Sequence, residues 1–224
     1  MSDAGVLLGI DTCGPLGTVA LARIEKDEAI VLTQTVLAGK TYSAELIPAI
    51  RGLLAAQNIA FHHLVTIVVT KGPGGFTGIR IGLSTAKGLA EAKAVPIIAV
   101  SRLAVLACKA QTSAAALDAS RGEFYFGSFS GRSISAIRSE QLLSRDLFLA
   151  RAADLGPQLA VCEESLRIAP SATLVDPPTA ADALHLAFPR LRAQDYDDPV
   201  LLDGDYLRRS DAEIFSKPKI APAL

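Results

Sequence analysis

The chain has 224 residues, half of them hydrophobic, and a formal net charge of −1. This composition can bury a substantial core, which excludes a disordered tail, and the length suits one large domain or two small lobes. The balanced charge excludes a domain that binds nucleic acid through a strong excess of positive charge of its own. If RNA is involved, a partner would supply most of the positive surface.

The first elements predict strands that meander before any helix begins. Residues 6–10 and 18–24 are short apolar runs separated by a Gly-Pro-Leu-Gly turn, which indicates a hairpin with a buried first strand. Residues 29–36 form a plausible third strand. A helix is expected next, with Ser43 as its N-cap. Pro48 falls just past the first turn of this helix and predicts either a bend or a later start.

Strands and helices alternate after this helix. Residues 64–70 read as a buried strand, and a glycine segment then leads into a helix of about four turns that reaches residue 92. Residues 96–100 and 102–109 predict the next strand and helix. The order β-β-β-α-β-α-β-α predicts an α/β protein with a mixed sheet that is covered on at least one face.

The second half of the chain is predicted to be less regular. We expect an N-terminal lobe of residues 1–108 and a smaller lobe of residues 109–224, whose last helix can pack back on the first lobe. The expected elements are a hairpin of residues 115–119 and 123–130, short strands at 159–162 and 173–175, and a helix at 182–191.

The glycine segment, residues 71–82 with the sequence KGPGGFTGIRIG, is the most specific local feature. Gly72, Gly74 and Gly75 lie between a strand and a helix, where free backbone N–H groups favour an anion. The segment matches neither a Walker A loop nor the GxGxxG fingerprint. Asp11 and Thr12 follow the first strand and could add a carboxylate for a phosphate and its magnesium. A hairpin turn capped by aspartate is the favoured interpretation of those two residues alone.

The helix after the glycine segment carries two rows of small residues at i,i+4 spacing. A glycine inside a helix costs about 1 kcal/mol relative to alanine, so close packing against a neighbouring helix is expected in return. The neighbour can be the preceding helix of the same chain, a partner protein, or both. The rows are Gly78, Gly82, Ala86 and Ala90, and Ser84, Gly88 and Ala92.

Other residue patterns give no catalytic or metal-binding set. The histidines form no HxxxH or HExxH motif, and no GxSxG or Cys–His arrangement is present. Cys13, Cys108 and Cys162 lack ligand or disulfide spacing, and buried free thiols suit a reducing compartment. No signal peptide or membrane span is apparent. We therefore expect a cytoplasmic protein without a membrane partner.

Three stretches together, GIDT, KGPGGFTGIRIGLSTAKGLA and LDASRGEFY, resemble the TsaB (YeaZ) family, clearly over residues 6–130 and weakly afterwards. The resemblance implies a two-lobed actin-like ATPase (ribonuclease H-like) fold, in which each lobe has a mixed sheet and flanking helices. It also implies a role in forming threonylcarbamoyladenosine beside the anticodon of tRNA. The chain departs from the family pattern at Tyr42, where histidine is frequent, at Ser120, where arginine is expected, and at Gly204, where proline is usual.

A TsaB-like protein is expected to be a non-catalytic subunit that binds and activates a TsaD-like catalytic paralogue. A TsaE-like ATPase joins the pair, and tRNA is contacted through the complex. The paralogue's HxxxH metal motif falls here at Arg102 and Leu106, which cannot replace those ligands, so no catalytic residue or metal is predicted. We expect the chain alone to have no catalytic activity. The alternative is a free-standing ATPase or phosphotransferase of the same fold.

The family's dimer contact corresponds here to the helices at residues 43–57 and 77–92. The chain could form a homodimer through the same helices when it is alone. No cofactor is firmly implied, although ATP or ADP is possible at the contact with the partner, and the nucleotide-binding candidates are Asp11, Thr12, Gly72, Gly74 and Gly75. The implied partner-interface residues are Leu46, Ile50, Leu53, Phe76, Thr77, Gly78, Arg80, Ile81, Gly82, Thr85 and Leu89.

Overall fold

The computed structural model describes residues 5–39, 41–130 and 136–208, which form two five-stranded mixed sheets. The first sheet contains β1 (Val6–Asp11), β2 (Leu16–Glu25), β3 (Glu28–Ala38), β4 (Leu64–Thr70) and β5 (Ile97–Val100). The second contains β6 (Ala114–Asp118), β7 (Glu123–Ser130), β8 (Ala136–Ser144), β9 (Leu159–Val161) and β10 (Thr173–Leu174).

Five α-helices and three short 3₁₀ turns accompany the sheets in the described part of the chain. The helices are α1 (Tyr42–Ala56), α2 (Phe76–Lys93), α3 (Arg102–Ala110), α4 (Arg145–Leu155) and α5 (Ala180–Arg192). The 3₁₀ turns are Phe61–His63, Gly156–Gln158 and Glu164–Ile168. No helix of the described residues has the length and apolar character needed to cross a membrane.

The strand order of the first sheet is β3-β2-β1-β4-β5. Strands β1 to β3 form an antiparallel meander, and β1, β4 and β5 run parallel. Alternate residues of β1 face opposite sides of the sheet. Leu8 and Ile10 therefore pack with α1 and α2, whereas Leu7 packs with α5. Both faces are therefore covered, and the mixed sheet predicted for this half is confirmed.

Helix α5 comes late in the chain but packs on the first sheet. Thr179 and Asp182 form a capping box at its start, and the Thr18 hydroxyl accepts the Ala180 N–H at 2.7 Å. A Cβ at Gly9 would lie 2.8 Å from the Ala180 carbonyl oxygen, so only glycine allows this close approach.

The second sheet has the order β10-β9-β6-β7-β8 and is also covered on both faces. Helix α3 packs on one face, and α4 packs on the other through Phe148, whose ring stacks on Phe124. Two lobes, each with a mixed sheet and flanking helices, are thus present as predicted. The predicted boundary after residue 108 falls in the last turn of α3 and stays a prediction.

Three local features differ from the predictions. Helix α1 begins at Tyr42 with Thr41 at the N-cap, so the N-cap predicted at Ser43 is wrong. The Thr41 hydroxyl instead donates to the Ala38 carbonyl at 2.8 Å. The later start predicted as one alternative is also wrong, because the helix begins at Tyr42 and includes Pro48. The predictions also lack strand β8 and helix α4. In α4 only Phe148 and Ala152 are buried, so the apolar period of this helix is weak.

Candidate functional site

A cleft of about 470 Å³ lies between the two lobes. The first lobe contributes the turn after β1 and the glycine segment before α2. The second lobe contributes the β6–β7 turn and Glu163, and residues 205–208 complete the lining. Of the five nucleotide-binding candidates, Gly74 and Gly75 line the cleft on the first-lobe side. Asp11, Thr12 and Gly72 are buried where the carboxyl ends of the parallel strands β1 and β4 meet, and they do not line the cleft.

Asp11 ends β1 and is 1% exposed. Its Oδ1 accepts hydrogen bonds from the Cys13 N–H at 2.9 Å and the Thr70 hydroxyl at 2.7 Å, and its Oδ2 lies 3.4 Å from Nε of Arg102. Burial lowers the pKa of Arg102, but the acidic groups around it, with Asp11 the strongest and Cys13, Cys162 and Glu163 adding to it, together more than offset burial, so the net shift is upward. The carboxylate thus already has an internal cation as its partner.

The other four nucleotide-binding candidates connect the glycine segment to its surroundings. The Thr12 hydroxyl donates to the Gly78 carbonyl at 2.7 Å, and the Gly75 N–H donates to the Cys13 carbonyl at 2.8 Å. A Cβ at Gly74 would overlap that same Cys13 carbonyl.

Gly72 has a positive φ of 112°, a conformation that favours glycine, and its carbonyl accepts the Arg102 N–H at 2.7 Å. The peptide bond to Pro73 is cis. Sequence reasoning missed Arg102 as a member of this site, although its place at the start of the helix after β5 was visible. Nucleotide binding by these residues stays a prediction.

The three cysteines are free thiols. Cys13 is buried beside Thr70, whereas Cys108 and Cys162 are only partly buried, so the prediction of burial holds fully for one of them. Burial raises the pKa of Cys13 and raises that of Cys162 to about 12. Neither thiol is therefore a thiolate nucleophile at neutral pH. No three Asp, Glu, His or Cys side chains cluster as metal ligands in the described ranges.

The small residues of α2 separate into a buried row and an exposed row. A Cβ at Gly78 or Gly82 would overlap Thr12, and Ala86 and Ala90 pack in the first-lobe core. The closest neighbour of the two glycines is therefore the turn after β1 and not a helix backbone, although the Tyr42 ring at the start of α1 also lies beside Gly78. The physical reason is that α2 crosses the end of β1 at close range. The other row, Ser84, Gly88 and Ala92, is exposed.

The predicted partner-interface residues also separate by burial. Leu46 and Ile50 are each 1% exposed and belong to the first-lobe core, and Gly78 and Gly82 face Thr12. These four do not present a surface to a partner in this conformation. The accessible members are Leu53, Phe76, Thr77, Arg80, Ile81, Thr85 and Leu89.

An apolar groove of about 470 Å³ lies between α1 and α2. Ile47 is 42% exposed at this groove, and Arg51 and Lys93 supply its charged groups. The predicted interface residues Ile50 and Leu89 line this groove, whereas Ile47 and the segment after α1 were not among the predicted residues. The remaining lining residues are Ile50, Leu54, Ala55, Ile59, Phe61, Leu89 and Ala92.

The chain matches the family model of TsaD, tRNA N6-adenosine threonylcarbamoyltransferase, over residues 30–181. The tRNA threonylcarbamoyladenosine biosynthesis protein TsaB of Bacillus subtilis is 38% identical over 125 residues, which is 54% of this chain and 53% of that protein. The chain thus matches the curated TsaB relatives over about half of their length. An uncharacterized protein of Mycobacterium bovis is 30% identical over 212 residues, which cover 92% of this chain and 93% of that protein.

Solved structures show the same architecture. A Pseudomonas aeruginosa crystal structure, described as an uncharacterized protein with similarity to peptidase YeaZ, superposes with a TM-score of 0.73 and 27% identity. The match covers 91% of this chain and all of the other. The two-lobed actin-like ATPase-type fold predicted from the sequence is confirmed by this likeness and by the two mixed sheets.

Proposed function

This chain belongs to the TsaD family, as a TsaB (YeaZ)-type member, and from that premise we propose that it serves tRNA threonylcarbamoyladenosine biosynthesis as a non-catalytic subunit. Its partner on this proposal is a TsaD-like catalytic paralogue, which it binds and activates. A TsaE-like ATPase and tRNA enter through that complex, in the cytoplasm. The observation that carries the proposal is the apolar groove between α1 and α2.

The groove has the character of a protein-docking surface. Its lining is almost entirely apolar, and its two charged residues, Arg51 and Lys93, are exposed. The exposed row of Ser84, Gly88 and Ala92 lies on α2, where a Cβ at Gly88 would meet no atom within 4 Å. A helix backbone can therefore come close to this face, which suits a paralogue that presents its own equivalent helices.

A free-standing ATPase is the alternative, and the arrangement at Asp11 argues against it. Such an enzyme needs a carboxylate that can reach magnesium and backbone N–H groups that can reach phosphate. Here Asp11 is paired with Arg102, and the Gly75 N–H is bonded to Cys13. ATP or ADP at the contact with the partner, and a homodimer through the same face, remain further possibilities of this proposal.

Co-purification with the TsaD-like protein tests the docking surface. Ile47→Lys places a charge in the groove and is expected to abolish the complex while the circular dichroism spectrum and melting temperature stay near those of the wild type. The matched control is Leu147→Lys, because Leu147 is 58% exposed on α4, away from the groove. An Ile47→Lys protein that retains the wild-type affinity for the paralogue would contradict the assignment of the groove.

Activity assays test the non-catalytic role separately. The purified chain alone is expected to show no threonylcarbamoyl transfer and negligible ATP turnover. Addition of the TsaD-like partner should give transfer activity that depends on both proteins. Substantial ATP turnover by the isolated chain would instead support the free-standing ATPase.

A further inference from the structure

Residues 203–208 follow the last described helix and cross from the first lobe to the second. Their first-lobe contact is at the start of the glycine segment. The Asp205 N–H donates to the Lys71 carbonyl at 2.7 Å, and the Asp205 carboxylate lies 3.3 Å from the Lys71 ammonium. This segment is thus held through both its backbone and a side chain.

The first turn of α2 provides a second contact for the same segment. The ring centroids of Tyr206 and Phe76 are 4.9 Å apart, and the Arg80 guanidinium lies 3.8 Å from the Phe76 centroid. Nε of Arg80 also donates to the Tyr206 hydroxyl at 3.4 Å. The three side chains form one stack, in which ring contacts and a cation–π contact stabilise each other.

The other end of the segment is attached to the second lobe. Leu207 packs against the core between α3 and the second sheet. The Arg208 guanidinium donates from Nη1 to the Ala119 carbonyl at 2.6 Å, and its Nε lies 3.7 Å from the Glu123 carboxylate. Ala119 and Glu123 flank the β6–β7 turn, which forms the opposite wall of the cleft.

Two glycines allow the segment to lie flat against the first lobe. A Cβ at Gly204 would lie 2.7 Å from Cγ2 of Ile79, and one at Gly72 would lie 3.0 Å from the Asp205 carbonyl oxygen. Larger residues would therefore push the crossing segment away from α2. The fit is specific at the point where the segment leaves the first lobe.

We propose that residues 203–208 are an interlobe strap, which fixes the two lobes in one relative position and holds the cleft closed along that side. The strap is bound to the glycine segment and α2 at one end and to the β6–β7 turn at the other. Release of either end should loosen the other, because the two anchors lie only a few residues apart along one short segment. This mechanical coupling does not depend on the proposed function.

Hydrogen–deuterium exchange of the full chain tests the coupling. Arg208→Ala removes the polar contacts with the second lobe without touching the first-lobe contacts, and Tyr206→Ala removes the ring contact with α2 without touching the second-lobe contacts. Each variant is expected to raise the amide exchange rate at least about threefold in both anchor regions, residues 71–76 and 119–123. Exchange in the central strands should stay unchanged, because the cores of the lobes are not part of the strap.

The control is Arg167→Ala, since Arg167 is a 62% exposed arginine of the second lobe outside the strap. It should change exchange in neither anchor region. Faster exchange only at the anchor that was mutated, or no change in either region, would overturn the strap. Arg208→Ala alone keeps the proposal testable if Tyr206→Ala fails to fold, because its effect on residues 71–76 is read at the anchor that was not mutated.

Discussion

Nε of Arg102 lies 3.4 Å from Oδ2 of Asp11, and the two side chains are 5% and 1% exposed. The pair joins the first residue of α3 to the last residue of β1 at the base of the cleft. It occupies the place where the sequence suggested a carboxylate for magnesium. The buried guanidinium neutralises that carboxylate, so this end of the cleft is electrostatically complete without a bound cation.

Removal of Arg102 should be strongly destabilising. Arg102→Met leaves Asp11 buried without a counter-charge, and we expect the free energy of unfolding to fall by about 3–5 kcal/mol. The double variant Arg102→Met/Asp11→Asn should recover much of this loss, because no charge remains buried. Urea unfolding measures the free energy of unfolding of the wild type, of Arg102→Met and of the double variant. Exposed ion pairs such as Arg167–Glu164 contribute less than about 1 kcal/mol to the free energy of unfolding. A loss this small in Arg102→Met would show that the buried pair contributes little to stability.

The same substitution at two glycines of α2 should have opposite effects. Gly88→Ala should raise the free energy of unfolding by about 0.5–1 kcal/mol, because the new methyl group meets no atom and alanine favours the helix. Gly82→Ala should lower it by about 1–3 kcal/mol, because the methyl group overlaps the Thr12 hydroxyl. Thermal and urea unfolding measure both variants. If Gly82→Ala were also stabilising, the close approach of α2 to the end of β1 would be in error.

Glu140 should make stability depend on pH. The Ser101 hydroxyl donates to its carboxylate, and burial raises its pKa to about 7, assisted by Asp205 and opposed by Ser101 and Lys71. The folded-state pKa is above the unfolded value, so the native state binds more protons between about pH 4.5 and 7. The stabilisation from the protonated form is full below this window and is lost as pH rises through it.

Glu140→Gln should therefore flatten the stability profile over that window, by at most about 3 kcal/mol. Urea unfolding at a series of pH values compares it with the wild type. Glu164→Gln is the control, because Glu164 is 80% exposed and should leave the profile unchanged. Identical profiles for the wild type and Glu140→Gln would contradict the raised pKa.

Magnesium and ATP should not stabilise the isolated chain. A ligand that binds only the native state raises the free energy of unfolding by RT ln(1 + [L]/Kd), so a weak ligand adds little. The polar groups at Asp11 and Gly75 are already bonded within the chain. We expect the melting temperature to change by less than about 1 °C in millimolar magnesium and ATP. ATP without magnesium is the matched control. A magnesium-dependent rise of several degrees would favour the nucleotide site instead.

The sequence by itself determined most of the first lobe. The strands at Val6–Asp11 and Leu64–Thr70 are nearly continuous apolar runs, and the glycine segment marks the start of α2 without ambiguity. These signals are local, because a few adjacent residues are enough to predict a fully buried strand or a glycine turn. Helix α4 lacks such a signal, since only Phe148 and Ala152 are fully buried in it while Leu147 is exposed, which weakens its apolar period.

Only the tertiary structure decided which surface each local feature meets. The spacing of Gly78 and Gly82 showed that α2 approaches something closely, but the neighbour is Thr12, in a turn 66 residues earlier than Gly78. The pairing of Asp11 with Arg102 is likewise set by the tertiary fold, which brings the end of β1 beside the start of α3. Periodicity determines which face of a helix or strand carries apolar or small residues. The segment that packs on that face depends on how distant parts of the chain come together, and no single window of sequence contains that information.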